Sequence, residues 1–284
     1  MCAPWLRPEA PVGGARTASP LSAEEVARYH HDGQLTPGWR LSATRLTALR
    51  AALDKLLAAR REVRPDFIAL PHVPQEGAQD STLAREFFDY VSDPTLLDLV
   101  EQIIGPDIIL WASAIFCKPA ATGLEVPWHQ DGQYWPIRPR ATVTVWMALD
   151  DVGVDNGCMR VIPGSHRMGE FSHAISPRED LVLNNVLNDP RIDLSKVRNI
   201  ELEAGQVSLH DVEIVHGSQA NTSGRRRAGF AVRYMPSTSH YDRSLDMGGA
   251  SNSAPVEFAQ RPLWLLRGVD RCGRNDFSIG HRGY

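Results

Sequence analysis

The pentapeptide Trp128-His129-Gln130-Asp131-Gly132 holds two metal-ligating residue types separated by a single position. In an extended strand successive side chains alternate faces, so His129 and Asp131 point one way and Gln130 the other. An imidazole nitrogen and a carboxylate oxygen then converge on one point. A second histidine from a neighbouring strand would complete a set that covers one face of an octahedral metal and leaves the opposite face open, the arrangement that suits non-haem Fe(II) oxygenases. The downstream stretch Leu209-His210-Asp211-Val212-Glu213-Ile214-Val215-His216-Gly217-Ser218 offers two histidines for that role, His210 and His216. A lone His-X-Asp is weak evidence, so the surrounding elements decide.

Those elements change character along the chain. Ser22 with Glu25 has the form of a capping box and opens a short helix through about His31 that Gly33 can end. Leu46, Leu49, Leu53, Leu56 and Leu57 mark a packing face on a longer helix over about 42–64. Asp93-Pro94 caps a third helix, which closes at Gly105. Beyond Gly105-Pro106, β-branched or aromatic runs predict strands at Ile108 to Lys118, Thr142 to Leu149, Cys158 to Ile162, Val207 to Leu209, Glu213 to Val215 and Arg227 to Met235. Turn sequences such as Asp155-Asn156-Gly157 and Pro163-Gly164-Ser165 separate them. Short strands at this spacing predict a sandwich or barrel with helices gathered on one side. The polar segment 167–198, with Pro177 and Pro190, reads as a long insertion between strands, of the kind that becomes a lid. The expected organisation is a flexible leader over 1–20 and one domain over 21–284. That domain has a helical part (21–105), a β-barrel core (106–240) and a C-terminal tail (241–284).

Composition bounds the function. A chain of 284 residues with 43% hydrophobic and 23% charged residues is an ordinary globular protein. The net charge of −4 gives no global signal for nucleic acid, and no stretch approaches the roughly 20 apolar residues needed to cross a bilayer. Cys2, Cys117, Cys158 and Cys272 are scattered, without the framework of a disulfide-stapled secreted domain. The expectation is a cytoplasmic protein acting on a small molecule, with no nucleic-acid or membrane partner; the oligomeric state is not written in these patterns.

Several ordered motifs carry a family resemblance. They are Cys117-Lys118-Pro119, Trp128-His129-Gln130-Asp131, Tyr134-Trp135-Pro136, Thr144-Val145-Trp146-Met147-Ala148-Leu149, Asn156-Gly157-Cys158-Met159, Ile162-Pro163-Gly164-Ser165-His166, Gly205-Gln206-Val207, His216-Gly217-Ser218 and Arg227. In this order, over roughly residues 107–240, the chain resembles the phytanoyl-CoA dioxygenase family of Fe(II)- and 2-oxoglutarate-dependent oxygenases. The resemblance implies a double-stranded β-helix, a jelly-roll or cupin-like barrel that is mainly β with flanking helices. It implies His129, Asp131 and His216 as metal ligands, the last because the family's ligand histidine is the one followed by Gly-Ser. Arg227 stands where the family holds the distal carboxylate of 2-oxoglutarate, and Arg233, an even number of residues along the same strand, is its rival. Trp146 resembles the family tryptophan beside the cosubstrate, and Gln130 matches the family residue between the ligands, where it would support cofactor binding while pointing away from the metal. Tyr134, Trp135 and Arg138 follow the metal motif closely and are candidates to line the substrate pocket.

The implied cofactors are Fe(II) and 2-oxoglutarate with O2 as cosubstrate, and the implied reaction hydroxylates a small organic metabolite while releasing succinate and CO2. Family members that halogenate have a small residue in place of the carboxylate, so Asp131 disfavours that outcome. Desaturation, epoxidation or ring closure use the same cofactors and stay open. A reading of another class, a jelly-roll protein that binds a metal or ligand without turnover, has no need of both a ligand triad and a cosubstrate arginine.

Overall fold

The computed structural model describes residues 20–245 and 258–279. The leader expected over 1–20 therefore lies almost wholly outside the described residues, as do Cys2 and the last five residues.

Helix α1 (Ala23–Asp32) begins with the predicted capping box, in which the Ser22 side chain accepts from Glu25 N and the Glu25 carboxylate accepts from Ser22 N. Gly33 ends it in the left-handed conformation, at φ 78°. Helix α2 (Ala43–Ala59) stops five residues before the expected end, where Arg60 leaves helical geometry and turns its guanidinium to Glu76 O and Gly77 O. Helix α3 (Ser81–Val91) was not anticipated, although Asp80 caps it and Leu83, Ala84, Phe87, Tyr90 and Val91 form its buried stripe. Helix α4 (Pro94–Ile104) follows its predicted cap, Asp93.

The strands in chain order are β1 (Gln34–Leu35), β2 (Ile68–Ala69), β3 (Ile108–Lys118), β4 (Val126–His129), β5 (Ile137–Arg138), β6 (Val143–Ala148), β7 (Met159–Val161) and β8 (His173–Ile175). They continue as β9 (Asn185–Leu187), β10 (Arg198–Ile200), β11 (Val207–Asp211), β12 (His216–Ser218), β13 (Arg227–Pro236), β14 (His240–Tyr241) and β15 (Trp264–Arg267). A seven-stranded sheet runs β1-β11-β6-β13-β3-β15 with β2 also on β3, and a four-stranded sheet runs β10-β7-β12-β4. Core strands pass back and forth between the two sheets, β3 in the larger, β4 in the smaller, β6 in the larger, β7 in the smaller, and again from β10 to β13. This winding is the double-stranded β-helix, or jelly roll.

Three expectations need correction. Glu213 to Val215 is a turn rather than a strand: Asp211 Oδ1 accepts from Glu213 N, Glu213 O accepts from Gln130, and Val215 N donates to Ser165 Oγ, so side chains satisfy the backbone that a ladder would otherwise pair. Its apolar residues are apolar because the turn is buried, with Ile214 and Val215 both at 0% exposure. The segment after 240 is more than a tail, since β15 pairs with β3 in the main sheet. The insertion over 167–198 carries its own antiparallel pair, β8 with β9.

The larger sheet is buried on both faces, which is why its strands read as continuous apolar runs. Leu53, Leu56, Phe87 and Val100 of the helices pack with Val145, Phe230 and Val232 on its outer face. Phe87 meets Phe230 edge-on at 5.4 Å between ring centres, and Tyr234 Oη donates to Val91 O at 2.7 Å. The inner face, through Trp146, Ala148 and Ala231, meets Met159, Val161 and Ile200 of the smaller sheet. Among the described residues no helix is long and apolar enough to cross a membrane.

Phe87 fastens α3 to the sheet, so Phe87→Ala is expected to lose about 3–5 kcal/mol in urea unfolding, by removing a fully buried ring and leaving a cavity. Ile175→Ala, at a side chain 67% exposed, should move the same midpoint by less than about 0.5 kcal/mol.

Candidate metal centre

Strand β4 ends at His129, and Gln130 keeps extended geometry (φ −113°, ψ 129°) before Asp131 opens a short 3-10 turn. The strand thus stops earlier than the alternation argument assumed, but the extended backbone lasts just long enough to keep Asp131 on the face of His129. Antiparallel pairing of β4 with β12 sets His216 directly opposite His129, and their ring centres lie 4.1 Å apart. Donor atoms of His129, Asp131 and His216 all lie within 4.8 Å of one another, and all three residues are buried.

The separations within this group are informative. His129 Nε2 is 3.5 Å from Asp131 Oδ1, while His216 Nε2 is 4.0 Å from Asp131 Oδ2. These distances are long for hydrogen bonds, and they suit donors arranged around an ion. Each histidine has its other ring nitrogen engaged: Nδ1 of His129 bonds Pro127 O at 2.8 Å and Nδ1 of His216 bonds Ile214 O at 3.1 Å. A proton fixed on Nδ1 leaves the Nε2 lone pair free to face a metal. Burial, then the neighbouring His129, holds His216 well below the usual imidazole range, so it is neutral. Burial alone would discourage ionisation of Asp131, but the facing rings of His129, His210 and His216 and the charge of Arg233 outweigh it and keep the carboxyl well below its ordinary value.

His210 stands beside this group on β11, with Nε2 3.9 Å from Asp131 Oδ2 and its ring 4.9 Å from that of His216. It differs in one respect. Its Nδ1 is buried without a hydrogen-bond partner among the described residues, so nothing fixes its tautomer as a ligand.

A cavity of about 130 Å³ opens over the group between the two sheets. Arg227 lies at its wall, 3% exposed, with its guanidinium 4.6 Å from the ring of Trp146. The two preceding arginines are engaged elsewhere: Arg225 pairs with Asp155 at 2.8 Å and Arg226 grips Asp150 at 2.9 and 3.1 Å. Arg227 has no carboxylate partner among the described residues, and its Nε makes no hydrogen bond. Burial pulls its pKa down to about 10, which leaves it charged at neutral pH. A buried guanidinium with no counter-ion can meet a carboxylate with two charge-assisted hydrogen bonds.

Tyr134, Trp135 and Trp146 also line the cavity, whereas Gln130 and Arg138 do not. Gln130 turns the other way, as alternation requires, donating to Gly169 O and Glu213 O and accepting from Phe171 N. It joins the insertion and the β11–β12 turn to β4. Arg138 donates to Trp135 O and Ile137 O and so braces its own loop.

Gly229 was overlooked. A Cβ there would sit 1.8 Å from Trp146 Cζ2, so only glycine allows Trp146 to lie across β13 and reach Arg227. An isolated glycine inside a strand pattern was the available signal. Trp111 was overlooked as well: pairing of β3 with β13 shifts register between Arg233 and Tyr234, and this bulge leaves Trp111 unpaired at the cavity wall.

His216→Ala is expected to abolish tight Fe(II) binding under anaerobic titration, and His210→Ala to retain it; the reverse order would identify His210 as the ligand.

A family model described as phytanoyl-CoA dioxygenase (PhyH) matches residues 29–229. Peroxisomal phytanoyl-CoA dioxygenase of Bos taurus is 26% identical over 250 residues, covering 81% of this chain and 72% of its relative. L-proline trans-4-hydroxylase of Streptomyces griseoviridis is 26% identical over 242 residues, covering 76% and 87%. Among solved structures, the non-heme alpha ketoglutarate dependent carbocyclase SnoK from nogalamycin biosynthesis superposes with a TM-score of 0.61 at 26% identity, over 88% of this chain and 99% of that one. With the matched segment spanning both histidines, Asp131 and Arg227, the chain belongs to the phytanoyl-CoA dioxygenase family of Fe(II)- and 2-oxoglutarate-dependent oxygenases.

Proposed function

We propose that the protein hydroxylates a small organic metabolite, with His129, Asp131 and His216 holding Fe(II) and Arg227 holding the distal carboxylate of 2-oxoglutarate. The observation that carries this reading is the pairing, in one cavity, of a buried donor triad with a buried guanidinium that has no counter-ion among the described residues. Either alone has a structural explanation; together they match the two cofactors. The reading takes residues 21–284 as one catalytic unit, supported by β15, which brings the C-terminal segment into the main sheet.

The chain's own groups do three things. The backbone carbonyls of Pro127 and Ile214 fix the histidine tautomers so that both Nε2 atoms face the metal position. Arg227, flattened against Trp146, binds and orients the cosubstrate, contributing of order 2 kcal/mol through a desolvated charged pair. Tyr134 and Trp135 wall the cavity and exclude water; the Tyr134 hydroxyl, spent on Asn185 O, ties that wall to the insertion. Bound Fe(II) with 2-oxoglutarate supplies the oxidising chemistry, in which dioxygen is consumed, 2-oxoglutarate becomes succinate and CO2, and a substrate C–H bond is oxidised.

Ring closure is the second reading, favoured by the likeness to a carbocyclase at 26% identity. Isotope labelling separates the two. A metabolite that accelerates succinate release under 18O2 is expected to yield product carrying one 18O atom, with a second in succinate. Labelled succinate beside an unlabelled product would overturn hydroxylation in favour of ring closure or desaturation.

A further inference from the structure

Arg227 is one of three arginines on the cavity wall; Arg233 and Arg261 are the others. Arg261 is 4% exposed, and the Nε atoms of both Arg233 and Arg261 are buried without hydrogen-bond partners among the described residues. The Tyr241 hydroxyl donates to Phe258 O at 3.2 Å and is not a counter-charge for Arg261. Arg233 and Arg261 are close enough to feel each other's charge: burial lowers the pKa of Arg233, Asp131 opposes the fall and Arg261 adds to it. A half-buried and a buried cation on one cavity wall are costly to hold together unless an anion joins them.

Arg233 is not explained as a counter-ion of Asp131. The ion-pair contacts of Asp131 within 4.0 Å among the described residues are with His129, His210 and His216. Nor does the cofactor set need it. Fe(II), the Asp131 carboxylate, dianionic 2-oxoglutarate and Arg227 sum to zero formal charge, which leaves Arg233 and Arg261 without a compensating anion among the described residues. Aromatic surface flanks the pair: the Arg233 guanidinium lies 5.1 Å from the Trp135 ring and 5.9 Å from that of Phe116, and Trp111 packs edge-on to Trp135 at 4.5 Å.

We propose that Arg233 and Arg261 form a second anion site that anchors the prime substrate through a carboxylate or phosphoryl group, with an apolar or aromatic body lying against Trp111 and Trp135. This rests on the assignment of Arg227 to 2-oxoglutarate. It narrows the substrate to an anion and explains why two cations sit where an apolar substrate would leave them unpaired.

The test titrates 3-phenylpropanoate, phenyl phosphate and neutral 3-phenylpropanamide into the anaerobic Fe(II)·2-oxoglutarate protein by calorimetry. At least one anion should bind about tenfold or more tightly than the amide, and the tighter of the two identifies the group. Arg233→Gln and Arg261→Gln should each erase that preference while still forming the charge-transfer band with 2-oxoglutarate, which also reports that they fold. Equal affinity for amide and anions, no anion binding to the wild type at millimolar concentration, or a preference that survives in both variants overturns the proposal. Arg227→Gln separates the two levels of the argument. If it loses 2-oxoglutarate while the anion preference survives in Arg233→Gln and Arg261→Gln, only the second site fails. If it keeps 2-oxoglutarate and Arg233→Gln loses it, the cosubstrate assignment fails and this proposal with it.

Discussion

The register between β4 and β12 sets His129 opposite His216, and the rest of the site depends on it. A slip of one residue would turn one imidazole away from the other. Several contacts prevent that slip. A Cβ on Gly217 would stand 2.9 Å from Val126 O, so only glycine allows the two backbones to approach this closely. Val215 N, just before the ligand, is fastened to the buried Ser165 Oγ. Gln130, between the two β4-side ligands, spends its whole amide on the insertion and on the β11–β12 turn. The geometry of the donor triad is thus fixed by the contacts around it.

Strand β13 supplies the second half of the site by having two different faces. Phe230, Val232 and Tyr234 pack outward under the helices. On the inner face two large cations, Arg227 and Arg233, bracket two of the smallest side chains, Gly229 and Ala231. Gly229 admits Trp146, and Ala231 lies between the two arginines. Among the described residues neither Arg227 nor Arg233 has its Nε paired, and both line the cavity between the sheets.

How much was legible in the sequence follows from which interactions are local. The capping box at Ser22 and Glu25 and the strand Ile108–Lys118 were readable because neighbouring residues specify them. That His129, Asp131 and His216 come together was readable because the motifs run in order and the Gly-Ser pair marks His216. Helix α3 escaped because its apolar stripe was overlooked beside stronger signals, although Asp80 announces it. Glu213 to Val215 imitates a strand in composition, and only Ser165 and Gln130, distant in sequence, reveal it as a turn. Arg261 and Phe258 reach the cavity from a segment expected to be a tail, and no local pattern predicts that return. Arg138 shows the opposite error: proximity in sequence to the metal motif did not bring its side chain to the cavity.

The central claim is that one cavity binds Fe(II) and 2-oxoglutarate together. The most direct measurement is anaerobic addition of Fe(II) to the purified protein in the presence and absence of 2-oxoglutarate, watching for a visible metal-to-ligand charge-transfer band. The account predicts a band that needs both components, saturates at one Fe(II) per chain and is lost in Asp131→Ala. A protein that binds Fe(II) yet shows no band at saturating 2-oxoglutarate, or a band unchanged in Asp131→Ala, would contradict it.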